Sequence, residues 1–283
     1  MVNENQWFLE AMESKGTVFG LKLGERLHQE HSAFQEIEIY RTETFGHLMV
    51  IDGCVMLTDR DNFLYHEMLT HPALCLHPDP RRVLIIGGGD CGTLREVLRH
   101  DTVESAVQVE IDERVTRLAE QYFPTLCESN GDPRASLLFD DGIAHVANAP
   151  DASLDLIIID STDPVGPAEG LFNPAFYTQC HRVLAPGGLL VQQSESPLLH
   201  LDLIRDIRQS MTGVGFGEFR LISFPQPVYP SGWWSATLAA RDSLSESPDA
   251  ARVEAITAQT DYFNAATLAG SLAVPNFVAR GLA

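Results

Sequence analysis

The chain has 283 residues, 39 acidic and 19 basic side chains, and a formal net charge of −20. This length is sufficient for one large α/β domain and a smaller one. The acidity argues against a nucleic-acid partner and favours cationic ligands. No apolar run approaches the roughly 18 residues of a membrane span, so no membrane contact is expected. The five cysteines form no Cys-x-x-Cys pair. With no secretory-type apolar run at the N-terminus, this predicts free thiols in a reducing, cytoplasmic compartment.

The first 60 residues alternate apolar and polar side chains in short runs. These runs lie over 17–23, 36–41 and 47–51. Alternation with a period of two is typical of half-buried antiparallel strands. We therefore predict a small N-terminal antiparallel β-sheet domain over residues 1–60.

From about residue 62, apolar strands alternate with helical segments. This order predicts a doubly wound, Rossmann-like (methyltransferase-type), mostly parallel sheet within a catalytic domain over residues 61–283. The last two strands have no obvious helix between them, so we expect them to be antiparallel. Segment 242–250 is expected to link the sheet to C-terminal helices. Predicted strands lie near 82–86, 105–110, 135–139, 154–159, 187–193, 217–223 and 234–240, and predicted helices include 112–122 and 173–184.

A glycine-rich turn follows the first of these strands. It reads Gly87-Gly-Gly-Asp90-Cys-Gly92 and opens a helix, an arrangement that lets backbone N–H groups approach a ligand. Glu110 ends the next strand, about twenty residues later, where a ribose-binding carboxylate lies in nucleotide-binding folds. Because Asp90 would repel a pyrophosphate, the turn favours a cationic sulfonium nucleoside over a dinucleotide.

Two further strands end in acidic residues. Asp140 and Asp141 precede Gly142. An acid and a backbone N–H at this place can pair with the edge of adenine, whereas the simpler interpretation is that an aspartate caps the following helix. The next apolar strand ends in Asp160, and Asp163 follows in a Pro/Gly-rich loop. Two carboxylates at the carboxyl edge of a parallel sheet suit a cationic ligand, although aspartates are also common in turns.

A series of motifs, in order and at matching spacing, resembles the polyamine aminopropyltransferases, the family that includes spermidine synthase. The resemblance covers roughly residues 5–240. No single motif is specific, but the combination is. The motifs are Phe34–Ile37, Val50–Gly53, Asp61–Glu67, Gly87–Asp90, Val109–Asp112, Asp141–Gly142 and Asp160–Pro167.

The resemblance implies transfer of an aminopropyl group from decarboxylated S-adenosylmethionine to putrescine, which yields spermidine and methylthioadenosine. The donor is a co-substrate that carries its own sulfonium leaving group, so no cofactor and no metal are expected. A homodimer or homotetramer is expected, because members of the family are dimers or larger. By resemblance, the catalytic residues are Asp160 and Tyr65, the donor-binding residues are Gln35, His66, Asp90, Glu110, Asp141, Gly142 and Pro167, and the acceptor-binding residues are Asp160, Asp163 and Tyr229.

Several positions depart from the family pattern. Cys91 stands where the family usually has glycine, which is tolerable if its φ is negative. Trp233 and Trp234 stand close after Tyr229, where the family often has a Gly-Gly pair, and they either narrow the acceptor entrance or anchor a strand. Leu268 lies near the place of an expected histidine. The acceptor is therefore less certain than the donor, and agmatine or cadaverine are alternatives to putrescine.

Two other functions remain open from the sequence. The first is a diamine N-methyltransferase that uses ordinary S-adenosylmethionine, against which Asp90 argues because its carboxylate would repel that of the methionine. The second is a regulator that binds a polyamine or a nucleoside without catalysis. Retention of Tyr65, Asp160 and Asp163 argues against it.

Overall fold

The N-terminal part of the chain forms a five-stranded antiparallel sheet in a computed structural model that describes residues 6–164 and 166–283. Its strands follow one another in sequence order, as the alternating pattern predicts. They are β1 (Trp7–Met12), β2 (Thr17–His31), β3 (Glu36–Thr42), β4 (His47–Ile51) and β5 (Cys54–Thr58). The division into domains at residue 60 stays a prediction.

The second sheet has seven strands in the order β11-β12-β10-β9-β6-β7-β8. The strands from β10 to β8 are parallel, and β12 runs antiparallel to both of its neighbours. The expected mostly parallel sheet with an antiparallel end is thus confirmed. The strands are β6 (Arg82–Gly87), β7 (Ser105–Glu110), β8 (Ala135–Phe139), β9 (Leu154–Asp160), β10 (Leu184–Gln193), β11 (Glu218–Pro225) and β12 (Trp233–Ala240).

Helices cover both faces of this sheet. One face packs against α1, α2, α7 and α8, and the other against α4, α5 and α6. Among the described residues, no helix combines the length and apolar character needed to cross a membrane. The helices are α1 (Asn62–Leu76), α2 (Gly92–Leu98), α3 (Glu113–Tyr122), α4 (Gly142–Asn148), α5 (Pro174–Val183), α6 (Leu201–Gly213), α7 (Ala250–Thr257), α8 (Ala265–Ser271) and α9 (Asn276–Leu282).

Strand β9 is buried on both faces. Leu156 and Ile158 join the core on one side of the sheet, while Ile157 and Ile159 join the core on the other, because successive side chains of a strand point in opposite directions. Burial of each such side chain stabilises the fold by about 1.5–3 kcal/mol. The strand is therefore firmly held, and it brings Asp160 to the carboxyl edge of the sheet.

The N-terminal sheet packs against helix α3. Val115 and Leu118 of α3 share an apolar cluster with Ile37 and Met49 of the sheet. This contact places the N-terminal sheet beside the carboxyl ends of the parallel strands. The space between the two sheets is where the candidate site lies.

Candidate active site

The site occupies the point where the strand order of the parallel sheet reverses. Strands β9 and β6 are neighbours there, and Gly87 at the end of β6 pairs with Asp160 at the end of β9. Open α/β sheets bind ligands at such a topological switch point. A first cavity of about 150 Å³ opens at this edge, lined among others by Gly87, Asp90, Glu110, Asp141 and Asp160.

The glycine-rich turn lies directly against the backbone of Asp160. The Gly88 N–H donates to the Asp160 carbonyl at 2.7 Å. Gly87 has a φ of +81°, and a Cβ at this position would collide with the same carbonyl. Only glycine therefore allows the turn to approach the end of β9 so closely.

Two hydroxyl groups hold the Asp160 carboxylate. Tyr65 donates to Oδ1 at 2.7 Å, and Thr93 donates to Oδ2 at 2.6 Å. Burial raises the pKa of Asp160, and the nearby charge of Asp90 raises it further. Burial and the Asp160 charge hold the pKa of Tyr65 well above its ordinary value. Tyr65 is therefore a neutral hydrogen-bond donor at physiological pH, and Asp160 is a stronger base than an exposed aspartate.

Asp90 is paired with His66 inside the wall of the site. Its Oδ1 accepts the Gly92 N–H at 2.7 Å, and its Oδ2 lies 3.2 Å from Nε2 of His66. Burial opposes ionisation of Asp90, but the charge and hydrogen bond of His66 lower its pKa below the ordinary value. The same contact raises the pKa of His66 against the effect of burial. Asp90 therefore faces the first cavity as an anion, partly offset by a cation behind it.

Glu110 is almost fully buried at the end of β7. Burial raises its pKa to about 7, and the charges of Asp112 and Asp160 act in the same direction. Asp112 caps α3 and accepts hydrogen bonds from Ser32 at 2.6 Å and from Gln35 at 3.1 Å. These bonds position Gln35 of the N-terminal part beside the first cavity.

Asp141, which follows the third strand that ends in an acidic residue, caps a helix and also lines the first cavity. Asp141 Oδ1 accepts the Ile143 N–H at 2.8 Å and so caps α4, while Asp140 accepts the Asp141 N–H. Asp141 and Gly142 both line the first cavity. A Cβ on Gly142 would lie 2.6 Å from Ile86, so glycine permits close packing of α4 on β6. The capping role and a position beside a ligand are thus compatible.

A second cavity of about 200 Å³ adjoins the first. The two share seven lining residues: Gln35, Ile51, Met56, Tyr65, Ser161, Thr162 and Tyr229. The second cavity is also lined by Glu10, Asp52, Asp163 and Trp234. Burial and the charge of Glu195 raise the pKa of Asp163 to about 7. The second cavity is therefore acidic, and its lining within the described chain contains no lysine or arginine.

Aromatic side chains form the wall between the two cavities. The Tyr229 hydroxyl donates to the Met56 carbonyl at 2.5 Å. Its ring meets the rings of Tyr65 and Trp234 edge to face, at centroid distances of 5.8 and 4.8 Å. The apolar ring faces suit the methylene groups of a ligand whose charged ends reach the carboxylates.

Three sequence-based expectations are modified. His66 lies behind Asp90 rather than in the lining of the first cavity. Trp234 lines the second cavity, whereas Trp233 points the other way and packs against Phe277. Cys91 has a φ of +69°, not the negative value that would make it free of strain. Cys91 has this left-handed conformation as the N-cap of α2.

Pro167 was expected to belong to a loop over the site. It falls within a 3-10 helix over Gly166–Phe172, and its side chain lies outside the described part of the chain. The sequence reasoning missed Thr93 and Glu10. A hydroxyl residue directly after the last glycine of the turn is a signal that could have identified Thr93, whereas Glu10 looks like an ordinary polar residue of an alternating strand. In the described residues, no group of three or more His, Cys, Asp or Glu side chains is arranged to hold a metal ion.

Fold and site together define a protein of the Rossmann-like, methyltransferase-type class with two adjoining cavities that are both lined by carboxyl groups. A spermine/spermidine synthase domain matches residues 62–247, and a spermidine synthase tetramerisation domain matches residues 6–59. The chain belongs to the spermine/spermidine synthase family of polyamine aminopropyltransferases.

Relatives of known name cover the whole chain. The polyamine aminopropyltransferase of Methylococcus capsulatus is 59% identical over 283 residues, which span 100% of this chain and 99% of the relative. That of Thioalkalivibrio sulfidiphilus is 60% identical over 280 residues, or 99% and 98% of the two chains. Among solved structures, a spermidine synthase in complex with the transition state analogue AdoDATO has a TM-score of 0.93 at 34% identity and covers 100% of this chain and 96% of its own. The Thermotoga maritima spermidine synthase has a TM-score of 0.91 at 34% identity, with 98% and 94% covered.

Proposed function

We propose that this chain transfers the aminopropyl group of decarboxylated S-adenosylmethionine to putrescine and releases spermidine and methylthioadenosine. The observation that carries the proposal is the meeting of two cavities at Tyr65, beside Asp160. The first cavity has the features of a nucleoside site, and the second is acidic and walled by aromatic rings. Asp160 lies where the reacting ends of two bound cations would meet.

The donor occupies the first cavity. Glu110 binds the ribose hydroxyls, Asp141 with Gly142 binds adenine, and Asp90 binds the donor's primary amine. Gln35 contributes from the N-terminal sheet, and His66 acts through Asp90. A carboxylate on the donor would face the Asp90 anion, which supports a preference for the decarboxylated nucleoside over ordinary S-adenosylmethionine. Pro167 would flank the site from the 3-10 helix.

The acceptor occupies the second cavity, with its attacking nitrogen at Asp160 and Tyr65. The nitrogen lone pair attacks the propyl carbon bonded to sulfur. The C–N bond forms as the C–S bond breaks, and the bonding electrons return to sulfur as a neutral thioether. The distal ammonium lies at Asp163, and Tyr229 and Trp234 enclose the methylenes. Asp160 orients the amine and stabilises positive charge that moves from sulfur to nitrogen.

The amine must lose a proton before or during attack. An alkylammonium with a pKa near 10.4 costs roughly 4.6 kcal/mol to deprotonate at pH 7. The raised pKa of Asp160 makes its carboxylate a better acceptor for that proton than an ordinary aspartate. The sulfonium supplies the leaving group itself, so we propose that the donor is a co-substrate and that no separate cofactor or metal takes part.

We also propose that the enzyme is a homodimer or homotetramer assembled through the N-terminal sheet and that it works in the cytoplasm. The family description of residues 6–59 as a tetramerisation domain supports assembly. The cysteines are free thiols, which fits a reducing compartment.

The test is a competition. Pure enzyme receives decarboxylated S-adenosylmethionine together with diaminopropane, putrescine, cadaverine, agmatine and spermidine, and mass spectrometry identifies the products. We expect putrescine to be consumed fastest. Faster consumption of agmatine or spermidine would contradict the acceptor. A parallel incubation replaces the donor by ordinary S-adenosylmethionine, and methylated amines among its products would instead support a diamine methyltransferase.

A single substitution tests the catalytic assignment. Asp160→Asn keeps the shape of the side chain but removes its charge, and we expect turnover to fall by several orders of magnitude with an unchanged melting temperature. A variant that retains more than about a tenth of the wild-type kcat, a loss under ~1.4 kcal/mol, would refute the assignment.

A further inference from the structure

The acidic end of the second cavity is backed by a buried carboxylate that does not line it. Glu195 is 5% exposed, and its charge acts on Asp163, which does line the cavity. Glu10 approaches the same end from β1, where its Oε2 accepts the Val55 N–H at 2.8 Å. Three carboxyl groups therefore converge at the place proposed for the distal ammonium.

Glu195 is held in an unusual backbone conformation. Its φ is +58°, in the left-handed region that side chains other than glycine rarely adopt. The Ser235 hydroxyl donates to the Glu195 carbonyl at 2.7 Å, and the His200 N–H donates to the Ser196 carbonyl at 2.8 Å. A strained, tightly bonded segment at a site points to a functional constraint on where its side chain lies.

One histidine contacts this group. Nδ1 of His200, at the start of α6, lies 2.5 Å from Oε2 of Glu195, and both side chains are largely buried. The two side chains are in close contact, although Nδ1 of His200 makes no hydrogen bond within the described part of the chain. The positive charge of His200 opposes the effects of burial and of Glu195 on Asp163.

We propose that His200 is a positioning residue for the acceptor: it holds Glu195 in place behind Asp163, so that the acidic end of the second cavity is oriented to receive the distal ammonium. This inference rests on the proposed function in assigning the second cavity to the amine. His200 touches neither substrate, so its effect is confined to acceptor affinity. The donor-side carboxylates Asp90 and Glu110 lie in the other cavity.

Removal of His200 changes the pKa of Asp163 in a known direction. Burial and Glu195 raise the pKa of Asp163 to about 7, so this group is half protonated at neutral pH. Without the His200 cation the pKa of Asp163 rises further, and the ammonium must displace a proton more often. A rise of about one pKa unit would weaken acceptor binding roughly fivefold at pH 7 and hardly at all at pH 9. Among the described residues, the charged or titratable groups that act on Asp163 or line its cavity are Glu10, Asp52, Cys54, Tyr65, Tyr229, Glu195 and His200.

The experiment compares His200→Gln with wild type in steady-state kinetics between pH 6 and 9. We expect the acceptor KM to rise roughly fivefold at pH 7, whereas kcat and the donor KM should change less than about twofold. The acceptor KM falls as Asp163 loses its proton, and in the variant this fall should occur at higher pH than in wild type. His181→Gln is the matched control, since His181 packs on Phe216 in another part of the fold. Equal effects on the KM of donor and acceptor would show a structural role and overturn the proposal.

A double-mutant cycle tests whether His200 acts through Glu195. In a Glu195→Gln background, His200→Gln should add less than about a twofold change in acceptor KM. Fully additive effects would overturn the proposal. All measurements use whichever amine the wild-type enzyme consumes fastest. If that amine is not putrescine, the proposed acceptor is wrong while the role of His200 is still decided; turnover of no amine would contradict both.

Discussion

The hydroxyl of Thr93 offers the sharpest test of how Asp160 is held. Thr93 is fully buried, and its Oγ1 donates to Asp160 Oδ2 at 2.6 Å. Thr93→Val replaces the hydroxyl by a methyl of similar size, so it removes one hydrogen bond without opening a cavity. Tyr65 still donates to the other carboxylate oxygen.

The expected magnitude follows from the charge of the acceptor. A hydrogen bond to an ionised group contributes about 1.5–3 kcal/mol, which corresponds to roughly a 10- to 150-fold loss of kcat. The lost bond stabilised the charged form of Asp160, whose pKa is already raised by burial and by Asp90. Its pKa should therefore rise further, and the acidic limb of the kcat profile should move to higher pH.

The assay is release of methylthioadenosine at saturating substrates between pH 6 and 9. Thr116→Val is the matched control, because this buried hydroxyl donates at 2.8 Å to a neutral acceptor, the Gly89 carbonyl of the same turn. We expect the control to lose less than about threefold in kcat. A Thr93→Val enzyme within twofold of wild type, or a control that loses as much activity as Thr93→Val, would refute the reasoning.

Three predictions concern stability and are read by urea unfolding. Glu67 accepts the backbone N–H groups of 261–263 at 2.7–2.9 Å, so Glu67→Gln should cost about 2 kcal/mol; no loss would mean that these bonds do not hold the C-terminal segment. Cys91→Gly should be more stable than Cys91→Ala by about 1 kcal/mol, because only glycine is free of strain at this φ; the reverse order would contradict the strain. Burial, then the charges of His71 and Arg252, lower the pKa of His100 to about 2. The contribution of neutral His100 to the free energy of unfolding is present above the pKa near 6.5 that this histidine has in the unfolded chain, and it is lost as pH falls below that value. His100→Gln should therefore lose about 2 kcal/mol less than wild type between pH 7 and 5, and an unchanged pH dependence would argue against a neutral buried His100.

The elements were predictable from the sequence because each follows from a local pattern. Alternation over the first 60 residues and apolar runs thereafter specify the strands, and the missing helix before β12 specifies its antiparallel direction. The site was predictable only in part. Strand ends such as Asp160 and Glu110 follow from topology, and the roles came from resemblance to a family. The contacts of Asp160 with Thr93 and of Gln35 with Asp112 join residues 67 and 77 positions apart, and no local pattern encodes them.

Sequence also leaves open what burial does to an acidic site. Burial raises the pKa of Glu110, Asp160 and Asp163, whereas the contact with His66 lowers the pKa of Asp90. Full ionisation of all these carboxyl groups is therefore unfavourable as long as no cation is bound in the site. In the proposed mechanism, the sulfonium of the donor and the ammonium of the acceptor supply positive charge to this site, and their binding is favoured because it relieves the repulsion between the carboxylates.

The same reasoning limits Asp160 as a base. Each bound cation lowers the pKa of Asp160 towards its ordinary value, so its basicity falls as the substrates bind. Its negative charge, by contrast, gains value as the reaction proceeds, because positive charge leaves sulfur and develops on the nitrogen beside Asp160. Hydroxyl donors on both carboxylate oxygens fix that charge in place before the reaction begins. In the proposed mechanism, Asp160 therefore contributes chiefly as a preorganised anion that stabilises the transition state, and proton removal is the secondary part of its role.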